Sequence, residues 1–476
     1  SDTETSTNDV PGADATLADW SLSDQAIQPT FDTDRVWYAV HAGATERITA
    51  TPNDPQANVA LVVRDFDGVE HDRFESNSAQ IPLDGGEQIV AIVTSADAST
   101  TVEYTLTPLP TDFPELDVWN AGEPGSGWYF LCNTDFYPLP AGQGMYLMIV
   151  DSLGIPRWIK RREALAFDFR PGPDGTLTWV DSPSLDGKVA IVRRPGGALE
   201  SWFPVDGDVN PHEFQLLDNG NALMIAERLS NQDLSPWGGP ANKPVLDQAI
   251  QEVTPSGATV FEWSTRDNID LDHMAPEARI WFLPLVEPGH VNSVDIDPSD
   301  GNWVVSMRTV SQVRKIDRTT GATLWTLGGP GSDFTFVDDP RLLGWNGFSA
   351  QHSARVTGPD TLMVFDNAFE IFDGFTGDSR MVEYTLDHAA MTATILRTWD
   401  LEGSEATKVG GSVQRTPDGH TVVGFGTLEE VDGVRAPAIV ELDENEVPVF
   451  ELRLPEGQWS YRAYKYEMGA DGWVLP

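Results

Sequence analysis

The feature that most constrains this chain is a repeat. From His212 the sequence runs His-Glu-Phe-Gln-Leu-Leu into an Asn219-Gly220 turn and on to Asn-Ala-Leu-Met-Ile-Ala226. After an insertion come Ile250–Val253, a Pro-Ser-Gly turn and Thr259–Trp263. The same plan restarts at His290 (turn at Asp300-Gly301), at His352 (turn at Pro359-Asp360) and at Ser412 (turn at Asp418-Gly419). It is present upstream from Phe167 (turn at Asp174-Gly175), and residues 127–161 supply a sixth copy ending Pro156-Arg-Trp158. Each copy reads as four short strands with tight hairpins. A four-stranded unit of this length cannot bury both of its faces alone, so copies must stack on one another. The expected fold is all-β, a six-bladed β-propeller over residues 127–476. The run from Ser460 to Met468 is left over as a strand that closes the ring against the first blade and hides an open edge.

Ahead of the propeller, residues 30–108 hold five further β-rich runs with period-two polarity, which fits a small β-sandwich domain. Pro108, Pro110 and Pro114 mark residues 109–126 as a stiff linker. Residues 1–29 read as a flexible acidic tether, of the kind left when an export signal is removed. This predicts a secreted or periplasmic protein, with a lipid anchor at the N-terminus as one route to the surface.

Charge narrows the partners. Against 30 Lys and Arg stand 74 Asp and Glu, a net charge of -44 over 476 residues. Such a surface repels nucleic acid and anionic lipid, and an anionic small molecule would need a basic pocket set against the global field. The single cysteine, Cys132, excludes an intrachain disulfide and sits in an apolar run suited to a buried, inert thiol. No stretch approaches the about 20 apolar residues that span a bilayer, and the oligomeric state is not readable.

Three of the eight histidines, His212, His290 and His352, fall on one repeat phase, the start of a blade's first strand. In a propeller that strand lines the central channel, so the three should meet at one mouth. Asn292, two residues after His290, returns to the same strand face. Arg308 ends the hairpin strand beside His290 and can approach the same mouth. Trp237, Trp281, Trp345 and Phe348 are candidates for an apolar wall or for core packing. Asp333 to Asp339 and the Asp366-Asn367 pair are oxygen-rich segments that read as solvated turns or as Ca²⁺ ligands.

The segments Pro211-His-Glu-Phe-Gln-Leu-Leu-Asp-Asn-Gly-Asn221, Gly289-His-Val-Asn-Ser-Val294 with Ser306-Met-Arg308 downstream, and Gln351-His-Ser-Ala354 resemble those of bacterial aryl sulfotransferases that use aryl sulfate esters as donors. The resemblance implies a six-bladed propeller and ping-pong transfer of a sulfuryl group to a phenol through a sulfated histidine, without a cofactor. It implies His352 as nucleophile, with His290, Asn292 and Arg308 on the sulfuryl oxygens and His212 as acid and base on the phenolic oxygen. Well-studied members carry a cysteine pair, which this chain lacks, and its N-terminal domain is similar instead to cadherin-like sandwiches. There is no Gly-x-x-x-x-Gly-Lys-Ser/Thr loop for a nucleotide sulfate donor. The alternative from the residues alone is a metal-dependent propeller lyase or hydrolase with the three histidines as ligands.

Overall fold

The structure is a computed structural model that describes residues 12–134, 139, 142–182, 187–273, 284–339, 341, 347–370, 374–375, 377–401, 407–427, 430–431 and 434–467. The chain divides into two compact units, residues 1–113 with 140–144 and 148–160, and residues 114–139, 145–147 and 161–476. Among the described residues no helix is long and apolar enough to cross a membrane.

In the first unit a three-stranded sheet (Leu17–Leu22, Thr45–Pro52, Ser78–Pro82) shares one core with a five-stranded sheet. The latter runs in the order Trp37–His41, Thr101–Leu109, Glu87–Thr94, Asn58–Asp65, Glu70–Phe74. Alternation along Thr45–Pro52 turns Ile48 and Ala50 inward, where they join Leu61, Ile81, Ile89 and Leu106. Trp20 packs edge-on against Tyr38 and Tyr104, with ring centroids 5.8 and 6.3 Å apart. This is the expected β-sandwich, but it begins earlier than residue 30. Leu17–Leu22, expected within the tether, is a paired strand because Leu17 and Trp20 are buried in this core and Leu22 packs against it. Pro108 also lies inside a strand. The pairing of that strand with Glu87–Thr94 stops at Leu106, so the missing N–H of proline breaks no bond there.

Most of the propeller lies in the second unit. Five of its sheets are built on four-stranded antiparallel meanders in chain order, with innermost strands Leu165–Gly172, Asp208–Leu216, Val291–Ile296, His352–Gly358 and Ser412–Arg415, and the sheet of His352–Gly358 gains Thr335–Val337 as an outer strand parallel to Thr392–Asp400. The sixth runs in the order Pro156–Arg162, Met145–Val150, Trp128–Cys132, Ala463–Tyr466. The closing strand therefore does more than cover an edge: it is the innermost strand of the first blade. Each innermost strand touches the next, and Ala463–Tyr466 touches both Ser412–Arg415 and Leu165–Gly172, which completes a ring of six. Within the stretch expected as linker, Asp117–Asn120 pairs with Pro448–Arg453 as a fifth, outer strand of the last blade.

The blades pack on one another through apolar faces. Leu223, Ile225 and Trp263 of one blade meet Val291, Trp303 and Val305 of the next. Cys132 is buried and its thiol is pushed up to about 11, chiefly by desolvation, as expected of an inert cysteine. Phe348, a candidate for either a substrate wall or the core, is core: it is fully buried against Phe336 and Tyr384.

Candidate active site

Four innermost strands are interrupted near their beginnings by register shifts, between Phe167 and Arg170, Val209 and Phe214, Val291 and Ser293, and His352 and Arg355. A bulge of this kind re-aims side chains out of the sheet. His212 lies within its bulge, His290 stands one residue before its strand with φ 49°, and His352 starts its strand between Ala350 (φ 50°) and Ser353 (φ 54°). Left-handed backbone at three non-glycine residues costs energy that the packed surroundings must hold.

The structure brings the three histidines together. The rings of His212 and His290 lie 4.8 Å apart at 72°, and Tyr461 sits 5.5 Å from His212 and 6.4 Å from His352. Each imidazole has Nδ1 held by one oxygen: Asn210 Oδ1 at 2.6 Å for His212, Glu287 Oε2 at 2.7 Å for His290, and Asn367 Oδ1 at 2.7 Å for His352. The amide orientations are fixed by further bonds. Asn367 Nδ2 donates to the carbonyls of Thr407 and Gly410, and Asn210 Nδ2 donates to Glu227. Both amides must therefore present oxygen to the ring, so His212 and His352 carry their proton on Nδ1 and leave Nε2 with its lone pair.

His352 is fully buried, and its Nε2 has no hydrogen-bond partner among the described residues. Burial first, then the charge of Arg308, holds this imidazole well below its ordinary range, so it is neutral. Burial first, then the nearness of His290 and His352, which disfavours a second positive ring, does the same to His212. The Tyr461 hydroxyl is also buried without a partner, and burial raises its pKa, which keeps it a phenol. Unmet buried polar atoms each cost about 1–3 kcal/mol. Beside two histidine rings they leave bonding capacity that a ligand can take up.

Arg308 follows the strand Trp303–Met307, and its backbone N–H bonds the His290 carbonyl at 3.0 Å. Among the described residues its guanidinium makes no ion pair or hydrogen bond. It faces the Phe369 ring at 5.6 Å, with the Glu287 charge nearby and burial lowering its pKa. An unpaired guanidinium in a protein of this net charge is a conspicuous exception. Asn292 is buried beside His352. Its Nδ2 bonds the Gln351 carbonyl at 2.7 Å and its Oδ1 has no partner, so it braces the backbone next to His352.

The oxygen-rich segments and Trp237 are used otherwise, apart from Asn367, which holds His352. The Asp366-Asn367 pair is neither solvated nor a set of free oxygens: Asp366 accepts from Arg380 and from the backbone of Ser349 and Ala368. Asp339 is taken up by Arg380 and Tyr384, and Asp333 by the backbone of Thr326. Trp237 bonds Asp272 and packs at the rim of a core cluster. Trp281 and Trp345 lie outside the described residues. Among the described residues, no group of three or more His, Cys, Asp or Glu side chains is arranged to hold a metal ion.

The fold and site define a propeller enzyme that groups two neutral imidazoles, a phenol and a guanidinium unpaired among the described residues. The sequence pattern of the family described as Arylsulfotransferase (ASST) matches residues 201–453, more than half of the chain and all three histidines. The chain belongs to the arylsulfotransferase family, and its catalytic class is that of a transferase. No curated protein matches it. Similar solved structures include a protein of unknown function from Bacteroides caccae, at 13% identity over 71% of this chain and 99% of that one, with a TM-score of 0.42. A catalytically inactive virginiamycin B lyase from Staphylococcus aureus, crystallised with quinupristin, is similar at 10% identity over 71% and 100%, with a TM-score of 0.36.

Proposed function

We propose that the enzyme moves a sulfuryl group from an aryl sulfate ester to a phenolic acceptor in two steps, through a sulfohistidine at His352. The observation that carries this reading is the state of His352: buried, neutral, its Nδ1 proton committed to Asn367, and its Nε2 lone pair uncommitted. Such a nitrogen can attack sulfur while a phenolate leaves, splitting one hard transfer into two easier ones. Arg308 supplies fixed positive charge for the sulfuryl oxygens, and its proximity keeps the nucleophile unprotonated. The Tyr461 hydroxyl, between His212 and His352, is a further donor toward a bound oxygen. No nucleotide donor is needed, since an aryl sulfate carries its own leaving group.

The test is steady-state turnover of 4-nitrophenyl sulfate at several concentrations of a phenol acceptor. Nitrophenol release that depends on acceptor, with parallel double-reciprocal lines, is expected. No turnover across a panel of aryl sulfates and phenols would sink the proposal.

A further inference from the structure

We infer that Glu287 and His290 form the acid–base dyad for the phenolic oxygen, a role that family resemblance places on His212. This rests on the proposed sulfuryl transfer and deepens it. The three histidines differ in the charge of what holds Nδ1. His212 and His352 face neutral amide oxygens, which set the tautomer and do nothing for a positive ring. His290 alone faces a carboxylate, Glu287 Oε2 at 2.7 Å.

That carboxylate is itself held. Gln248 donates through Nε2 to Glu287 Oε1 at 2.8 Å, while its own Oε1 accepts the N–H of Val291, the residue after His290. One side chain thus fixes both the glutamate and the backbone beside the histidine. Burial works to raise the Glu287 carboxyl, but the charge and hydrogen bond of His290 and the charge of Arg308 outweigh it and keep it ionised. A carboxylate in this position stabilises the imidazolium and orients the ring. His212 sits in the opposite field, beside His290, His352, Arg462 and Lys188, and resists taking a proton.

The steps then balance. In the first, His352 Nε2 forms a bond to sulfur as the bond from sulfur to the aryl oxygen breaks. The departing oxygen keeps that electron pair and takes the proton from His290 Nε2. In the second, the acceptor phenol gives its proton to His290 Nε2 as its oxygen bonds to sulfur. The N–S bond breaks, and its electron pair returns to His352. The Glu287 carboxylate balances the charge of His290 each time the ring is protonated and never leaves its place. Glu287 is a positioning residue; His290 touches the reacting oxygen.

The experiment compares two donors that differ in how much they need the acid. Nitrophenolate leaves unaided; the more basic phenolate of phenyl sulfate does not. Glu287→Gln is expected to lower kcat/KM for phenyl sulfate about 10²-fold but for 4-nitrophenyl sulfate only about tenfold or less. Glu287→Asp, which keeps the charge, should restore much of the difference. A structural role would lower both donors by the same factor, and that result overturns the dyad while leaving sulfuryl transfer standing. If His212→Asn steepens the leaving-group dependence and Glu287→Gln does not, the proton carrier is His212. A wild-type enzyme that transfers from neither donor removes the proposed function, and this inference with it.

Discussion

Two parts of the propeller channel invite comparison because they use neighbouring residues to opposite ends. At the histidine end, His352 Nε2, the Tyr461 hydroxyl and Asn292 Oδ1 have no partners, and Arg308 has no ion pair among the described residues. One residue along from His212, Glu213 belongs to a different world. It accepts from Arg170, Arg355 and Arg462, while Asp168 accepts from Arg170, Arg462, Tyr464 and the backbone of Phe214. Two carboxylates and three guanidiniums, contributed by the second, third, fifth and first blades, are almost wholly satisfied by one another. That cluster ties blades together across the channel. The histidine end leaves its bonding capacity open, and open capacity in a buried place is what a reacting ligand fills.

Substitutions should separate the two ends, the larger effects first. His352→Asn keeps a polar group of similar size but removes the nucleophile. It is expected to lower transfer about 10⁴-fold or more, read as turnover, with the thermal midpoint little changed. Glu213→Gln should do the reverse, destabilising the fold by about 3–5 kcal/mol in a denaturant titration because three buried guanidiniums lose their shared partner. Burial alone would raise the Glu213 carboxyl, but Arg170, Arg355 and Arg462 hold it well below the usual range. Its stabilising contribution is therefore complete above the unfolded value of about 4.3 and is lost as pH falls toward the folded one. The wild type should lose stability on acidification below about pH 4, and Glu213→Gln should show a shallower slope in that window.

Smaller effects probe the site's supports. Arg308→Met should cost about 10²–10³-fold in kcat, the scale for losing one fixed charge on a transferring group. If Arg308 merely packs on Phe369, methionine would be tolerated, and the contrast drawn between the two ends would weaken. Asn367→Leu should lower kcat about tenfold with KM nearly unchanged, because the ring of His352 loses the bond that fixes its tautomer.

Much of this was legible before the structure. Hairpin signals gave the blade count, and a shared repeat phase gathered His212, His290 and His352, because position within a blade dictates position along the channel. The partners of those histidines were not legible. Asn367 lies after the second strand of its blade and meets His352 only through a bulge with left-handed backbone at Ser353. Glu287 and Gln248 reach His290 from a preceding loop and from the neighbouring blade. Tyr461 and Arg462 lie just before the closing strand, whose place at the channel depends on the ring being complete. The bond from Asn292 to the Gln351 carbonyl links neighbouring blades, which strand alternation does not reveal. Leu17–Leu22 was hidden by its acidic surroundings, although its two buried apolar residues suffice to seat it.

The central claim is that His352 carries the sulfuryl group between donor and acceptor. Mixing the enzyme with 4-nitrophenyl sulfate in the absence of acceptor, quenching at alkaline pH and mapping the peptides by mass tests it most directly. One equivalent of nitrophenol released in a burst, with the mass of one SO₃ added to the peptide bearing His352, is the expected result. Acceptor-dependent turnover without a burst and without any modified histidine would contradict it, and would mean direct transfer between the two bound substrates.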